Sequence, residues 1–280
     1  MHLSCLPVSF FAEIIDGRMA VAEWAQIGRS LGLDAIDLSL LFVRPRTVNQ
    51  ALLLRRQIED AGSRVAMITT YPDFTHPEAA QRRKELDLAI ETVHIAEALG
   101  ADLIRITAGQ AHPSTGRAEG INWAIDGLSH LTETVRTSPV RLVYENHAKP
   151  GAWDYTDFST PPDIFLEIAR GTASAGLGIH FDTGNAAAFS ADPLAMLDQV
   201  IDRVVSVHVA DTAVFGELKP VLIGTGIAPI RGVFDRLVAA SWDGWLCIEE
   251  ASFQGQAGID AATRFVRATW QLASAAPAQS

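Results

Sequence analysis

The 280-residue chain has only two cysteines, Cys5 and Cys247, far apart and without a CxxC spacing. That scarcity excludes a disulfide framework and a thiolate zinc site, and a reducing cytoplasm is the expected compartment. Basic residues are also short, with 22 Lys and Arg against 33 Asp and Glu and a formal net charge of -11. Phosphate backbones are bound by clustered cations, so nucleic acid is not expected as a partner. No segment approaches the roughly 20 apolar residues of a membrane span, so no membrane partner is expected either. The opening "MHLSCLPVSFFAEIIDG" lacks a basic n-region and meets Glu13 and Asp16 before any long apolar run. It reads as a strand and loop rather than a signal peptide. A GxGxxG turn after the first strand, the mark of a doubly wound dinucleotide fold, is missing as well.

Hydrophobic residues make up 48% of the chain, enough for a large core. They recur in eight short segments: "LSCLPVSF" from 3, "DAIDLSL" from 34, "RVAMITT" from 64, "DLIRITA" from 102, "VRLVYE" from 140, "LGIHFD" from 177, "VVSVHVA" from 204 and "WLCIEE" from 245. The spacing accommodates a strand, a loop, a helix and a return loop in each unit. "HPEAAQRRKELDLAIETVHIAEALG" has helical periodicity with Gly100 as its stop, and "STPPDIFLEIARG" offers Thr160 as N-cap. Eight such units without a linker predict a single-domain (β/α)8 TIM barrel over residues 1–273, with 274–280 a flexible tail. "GTGIAP" from 224 reads as a plain turn.

In a barrel, alternate strand residues face the interior. In "LGIHFD" the apolar set Leu177, Ile179 and Phe181 points out, which turns His180 and Asp182 inward. In "VVSVHVA", Val205, Val207 and Val209 are the outward set, leaving Ser206 and His208 inside. The fifth strand puts Leu142 and Tyr144 outward and Glu145 inward. The eighth is apolar on both faces, so periodicity leaves Glu249 and Glu250 open. Either choice gives one imidazole and three carboxylates at the C-terminal rim, where barrel enzymes keep their chemistry. Such a donor set suits a divalent ion of the Mn, Mg or Co kind.

"YENH", "FDTGNAA", "VHVAD" and "DGWLCIEEAS", in this order and on these strands, resemble the xylose-isomerase-like barrel superfamily of sugar isomerases and epimerases, which includes AP endonuclease family 2 type proteins. The resemblance spans most of the chain and is strongest over 140–255. It implies one divalent metal, Mn2+ first with Mg2+, Co2+ and Zn2+ as alternatives, on Glu145, Asp182, His208 and Glu249, the last aligned through "GWxxIE". It also implies that Glu145 and Glu249 act as acid and base across a metal-stabilised enediolate. Many members carry a histidine three residues after the aspartate; Asn185 stands there here, which weakens a second metal site.

The expected function is therefore a metal-dependent isomerase or epimerase of a monosaccharide or sugar derivative. A dehydratase acting on a keto-sugar or inosose is the alternative. An endonuclease-IV-type phosphodiesterase fits the acidic balance poorly, and a non-catalytic barrel would be expected to lack one of the four donors. Substrate contacts are expected from His147, Lys149, Asn185, Arg105 and Asp211. Arg105 and Asp37 are expected to pair inside the barrel, His180 to be a buried histidine hydrogen-bonded within the core or orienting a metal ligand, and Asp211 also to hold a loop. A phosphate on the substrate would look to Gly224–Gly226 or Lys149. The resemblance further implies a homo-oligomer.

Overall fold

A computed structural model describes residues 1–149, 151 and 153–275. Eight parallel strands carry the chain round the barrel: β1 (His2–Leu6), β2 (Ile36–Ser39), β3 (Val65–Thr69), β4 (Leu103–Ile106), β5 (Arg141–Glu145), β6 (Gly178–Asp182), β7 (Val204–Val209) and β8 (Trp245–Glu249). Their hydrogen-bonded order is β1-β8-β7-β6-β5-β4-β3-β2. Where β1 and β2 meet, side chains help to close the ring. Asp34 accepts from the Leu3 amide at 2.9 Å, and Ser4 Oγ donates to Asp37 at 2.7 Å. The fold is a (β/α)8 TIM barrel.

The helices are α1 (Phe11–Ile15), α2 (Val21–Ser30), α3 (Val48–Asp60), α4 (Ala79–Leu99), α5 (Arg117–Thr134), α6 (Pro162–Gly171), α7 (Thr183–Phe189), α8 (Pro193–Asp198), α9 (Ile230–Ala239) and α10 (Gly255–Ala275). Gly100 ends α4 with φ 70°, a left-handed C-cap that costs glycine little. Helix α6 starts later than the sequence indicates. Pro161 is its N-cap, and the Thr160 hydroxyl instead donates to the Asp157 carbonyl at 2.8 Å. Helix α10 runs through Ala275, two residues into the expected tail, and 276–280 lie outside the described residues.

Two apolar layers follow from strand alternation. Leu142, Tyr144, Ile179, Phe181, Val207 and Val209 belong to the main core outside the strands, and each full burial of such a side chain stabilises the fold by about 1.5–3 kcal/mol. Inside, Ala35, Ala66, Met67, Leu103, Val143, Trp245 and Cys247 form a small plug toward the strand starts. Val205 breaks the expected pattern by packing against this inner plug. The reason is a register shift in the β6–β7 ladder, where Ile179 pairs with Val204 but His180 pairs with Ser206. One extra residue lets Val205 turn inward while Val207 and Val209 keep the outward face. Beyond the plug the interior becomes polar, and this is where the site lies.

Candidate active site

The rim residues are delivered by strand register. Glu145 ends β5 level with His180, and Asp182 ends β6 level with His208. On β8, Cys247 belongs to the inner plug and Ile248 to the outer core, so alternation turns Glu249 inward. Glu250 goes the other way: its buried carboxylate accepts from the Ser252 amide at 2.9 Å and from the hydroxyls of Ser9 and Ser252, which anchors the loop into α10.

Four of the expected residues meet through His208. Its Nδ1 lies 2.7 Å from Glu145 Oε1 and 3.7 Å from Asp182 Oδ2. Donor atoms of Asp182, His208 and Glu249 lie within 4.8 Å of one another, as do those of Glu145, His180 and His208. Two overlapping triplets thus share one imidazole. His180 sits a level below, its Nδ1 2.6 Å from Ser206 Oγ and its ring 4.2 Å from that of His208.

The segment "DTGN" holds its shape for identifiable reasons. Asp182 Oδ1 accepts from the Asn185 amide at 2.5 Å and so caps α7. Thr183 Oγ1 donates to the Ala210 carbonyl at 2.6 Å and accepts from the Ala210 amide at 3.0 Å, which ties the ends of β6 and β7 together. A Cβ at Gly184 would stand 3.0 Å from that of Ala210, so the close helix–strand approach favours glycine. Asn146, which the sequence reading did not single out, clamps the backbone of Asp182 through both amide atoms, at 2.8 and 2.9 Å.

Burial and mutual charge set the protonation states. Burial alone would lower the His208 pKa, but Glu249 and Glu145 outweigh it and lift it from 6.5 to about 9. Glu145 is also opposed by burial, yet Arg105 and His208 hold it well below the usual carboxylate range. Asp182 is pushed well upward, first by burial and then by Glu249 and Glu145. His180 is pushed well down, again chiefly by burial.

Among the described residues, several polar atoms in this cluster are buried without a hydrogen-bond partner: Asp182 Oδ2, Asn185 Oδ1, His180 Nε2 and His208 Nε2. Leaving one such group unsatisfied costs about 1–3 kcal/mol, so a concentration of them in one place marks a ligand-binding site. Oxygen donors with one imidazole nitrogen fit a divalent cation, and the residues present fit such an ion.

The remaining expected contacts divide. Arg105 is buried, but its partner is Glu145 rather than Asp37. Its Nε lies 3.0 Å from Glu145 Oε2, its Nη1 donates to the Thr70 carbonyl at 3.0 Å, and its guanidinium stacks 4.7 Å from the Tyr71 ring centroid. Asp37 instead bonds Ser4. His147 lies at the mouth, its ring 6.3 Å from those of Tyr71 and Trp153 and its Nδ1 3.7 Å from the buried Asp157. Exposed Lys149 donates to the Asp154 carbonyl at 3.1 Å. Asp211 holds the loop that follows β7. Its two carboxylate oxygens accept four backbone amides, from Thr212, Gly224, Gly226 and Ala228, at 2.9–3.0 Å. A cavity of about 310 Å³ begins near Tyr71 and Trp153 but runs past Leu88, Val93 and Ile104, with none of the four candidate ligands in its walls.

Comparison with known proteins agrees with this architecture. The sequence profile of the xylose isomerase-like TIM barrel family matches residues 25–269. The chain belongs to that family. It is 25% identical over 253 residues, 85% of this chain and 88% of the other, to a Streptomyces coelicolor protein named provisionally as a hydroxypyruvate isomerase. It is 26% identical over 139 residues, 44% of each chain, to the inosose dehydratase of Lactiplantibacillus plantarum. Among solved structures, D-psicose 3-epimerase from Clostridium cellulolyticum H10, determined with D-tagatose, superimposes with a TM-score of 0.78 at 10% identity, covering 96% of this chain and 99% of the other. At that identity the likeness concerns the fold. No helix among the described residues is long and apolar enough to cross a membrane.

Proposed function

We propose that the protein is a divalent-metal-dependent isomerase or epimerase of a monosaccharide or sugar derivative. The observation that carries this reading is the gathering of Glu145, Asp182 and Glu249 round His208, where several buried polar atoms lack a hydrogen-bond partner among the described residues. These four residues would hold the ion, Mn2+ first. When bound, it supplies Lewis acidity that polarises a sugar carbonyl and acidifies the adjacent C–H.

The chain supplies the proton chemistry. Glu145, kept ionised by Arg105 and His208, and half-buried Glu249 enter the interior from β5 and β8, three strands apart in the barrel order. One removes the proton next to the carbonyl and the other returns it, to the opposite face for epimerisation or to the neighbouring carbon for isomerisation. Arg105 and Asn146 position the donors, and His147 and Asn185 meet the sugar hydroxyls.

A dehydratase is the second reading. It is favoured by His147, which faces buried Asp157 and is placed at the mouth where it could protonate a departing hydroxyl. The similarity to inosose dehydratase, over less than half of each chain, points the same way.

Incubating the protein with Mn2+ and a panel of ketoses, aldoses and keto-sugars in deuterated water separates the readings. Deuterium entering a recovered sugar, abolished by chelation, is the expected result; an unsaturated product formed with loss of water would establish the dehydratase. Failure of every compound to exchange or dehydrate would overturn both.

A further inference from the structure

We infer that His180 builds a second metal position beneath the rim, where His180, His208 and Glu145 take Zn2+ and, by using two of the rim donors, exclude Mn2+ from the rim. The inference concerns metal binding and stands apart from the choice between isomerase and dehydratase.

Strand alternation creates the position. His180 lies two residues before Asp182 on β6, and Ser206 two before His208 on β7, so each strand turns a pair of polar side chains to the interior at successive levels. The ladder sets His180 beside Ser206 and Asp182 beside His208. Both histidines and Glu145 are buried. One donor atom from each of the three lies within 4.8 Å of the others. Glu145 Oε1 stands between the rings, 2.7 Å from His208 Nδ1 and 3.7 Å from His180 Nε2. Tetrahedral zinc with bonds of about 2.0–2.1 Å holds its donors roughly 3.3 Å apart, so small side-chain adjustments suffice.

Two details mark His180 as a ligand rather than a packing group. Its Nε2 is buried without a hydrogen-bond partner among the described residues. Its Nδ1 lies 2.6 Å from Ser206 Oγ. With the Nδ1 proton donated to that hydroxyl, Nε2 keeps a free lone pair, and metal-binding histidines commonly have their other nitrogen held in this way. Arg105 does not block the position, because it faces Glu145 Oε2 at 3.0 Å and leaves Oε1 to the histidines.

Ligand chemistry separates the two positions. At the rim, three carboxylates and one imidazole suit Mn2+ or Mg2+. Beneath it, two imidazoles and one carboxylate form a set on which zinc is held elsewhere, and nitrogen donors favour Zn2+ over Mn2+. Because His208 and Glu145 serve both positions, zinc below empties the rim.

Metal binding to the full chain tests this. X-ray absorption at the zinc edge, on protein loaded with one equivalent of Zn2+, should count two imidazoles per ion; a single imidazole overturns the inference. Added to Mn2+-loaded protein, Zn2+ should release the manganese, seen as the paramagnetic resonance of the free ion. Manganese retained beside bound zinc overturns the exclusion. His180→Gln separates ligation from mere orientation: its zinc affinity should fall by at least ~100-fold, the upper end of what losing an orienting partner costs, while its manganese affinity stays within ~3-fold of wild type. Equal losses for both ions would make His180 an orienting group only and overturn the inference. If the variant does not fold, the wild-type zinc spectrum still decides. Zinc on two imidazoles in a protein that never binds manganese would uphold the lower position and count against the rim site, whereas binding of neither ion overturns both.

Discussion

Metal binding should expel protons, and their number follows from the electrostatics of the site. In the metal-free protein His208 is lifted from 6.5 to about 9 by Glu249 and Glu145 acting against burial. At pH 7.5 it is therefore almost fully protonated. An imidazole can bind a cation only when neutral, so loading the site releases about one proton from His208. Asp182, also pushed upward, adds any proton it still holds. The same shift stabilises the metal-free fold. A raised histidine pKa gives stability that is fully present below about 6.5 and is lost as pH climbs through about 9, on the order of 3 kcal/mol in all. Calorimetric titration of Mn2+ in Pipes and in Tris, which differ in ionisation enthalpy, reads the proton number from the difference in heat. About one proton, that of His208, is expected at pH 7.5. Tight binding at pH 7.5 without any buffer-dependent heat would mean that His208 is not a ligand, and the reasoning would be refuted.

Other perturbations probe separate parts of the account. Glu145→Gln and Glu249→Gln should each lower turnover by at least ~1000-fold while circular dichroism stays that of wild type, since each removes a group that moves the proton; near-normal activity in either would remove it from the proton pathway. Arg105→Met leaves Glu145 buried without its guanidinium and should cost about 3–5 kcal/mol in urea unfolding of the metal-free protein, less when Mn2+ is present. Burial raises Asp37 from 3.8 to about 7, so its contribution to stability is complete below pH 3.8 and is lost as pH rises through 7. Between those limits wild type should lose about 4 kcal/mol that Asp37→Asn keeps, a comparison made by denaturant unfolding across pH.

Much of the site could be read from alternation, because β5, β6 and β7 each have a clean apolar face that fixes the other. Glu145, Asp182 and His208 follow from that alone. Glu249 does not, because β8 is apolar on both sides; its direction is set in the fold by Cys247 entering the inner plug and Ile248 the outer core. What alternation cannot supply is the stagger between neighbouring strands. Arg105 is level with Val143 across β4–β5, which brings its long side chain to Glu145 on the same strand rather than to Asp37 across the barrel. Val205 was lost to a bulge, which has no marker in a run of valines. The work of Asp211 depends on a loop folding back through Gly224 and Gly226 to Ala228, contacts that spacing along the chain does not show.

The central claim, one dication held by four rim side chains, is tested most directly by crystals grown with manganese and measured for its anomalous scattering. The account predicts a single strong peak within bonding distance of Glu145, Asp182, His208 and Glu249. A peak elsewhere, or the four side chains turned away from one another with no peak between them, would contradict it.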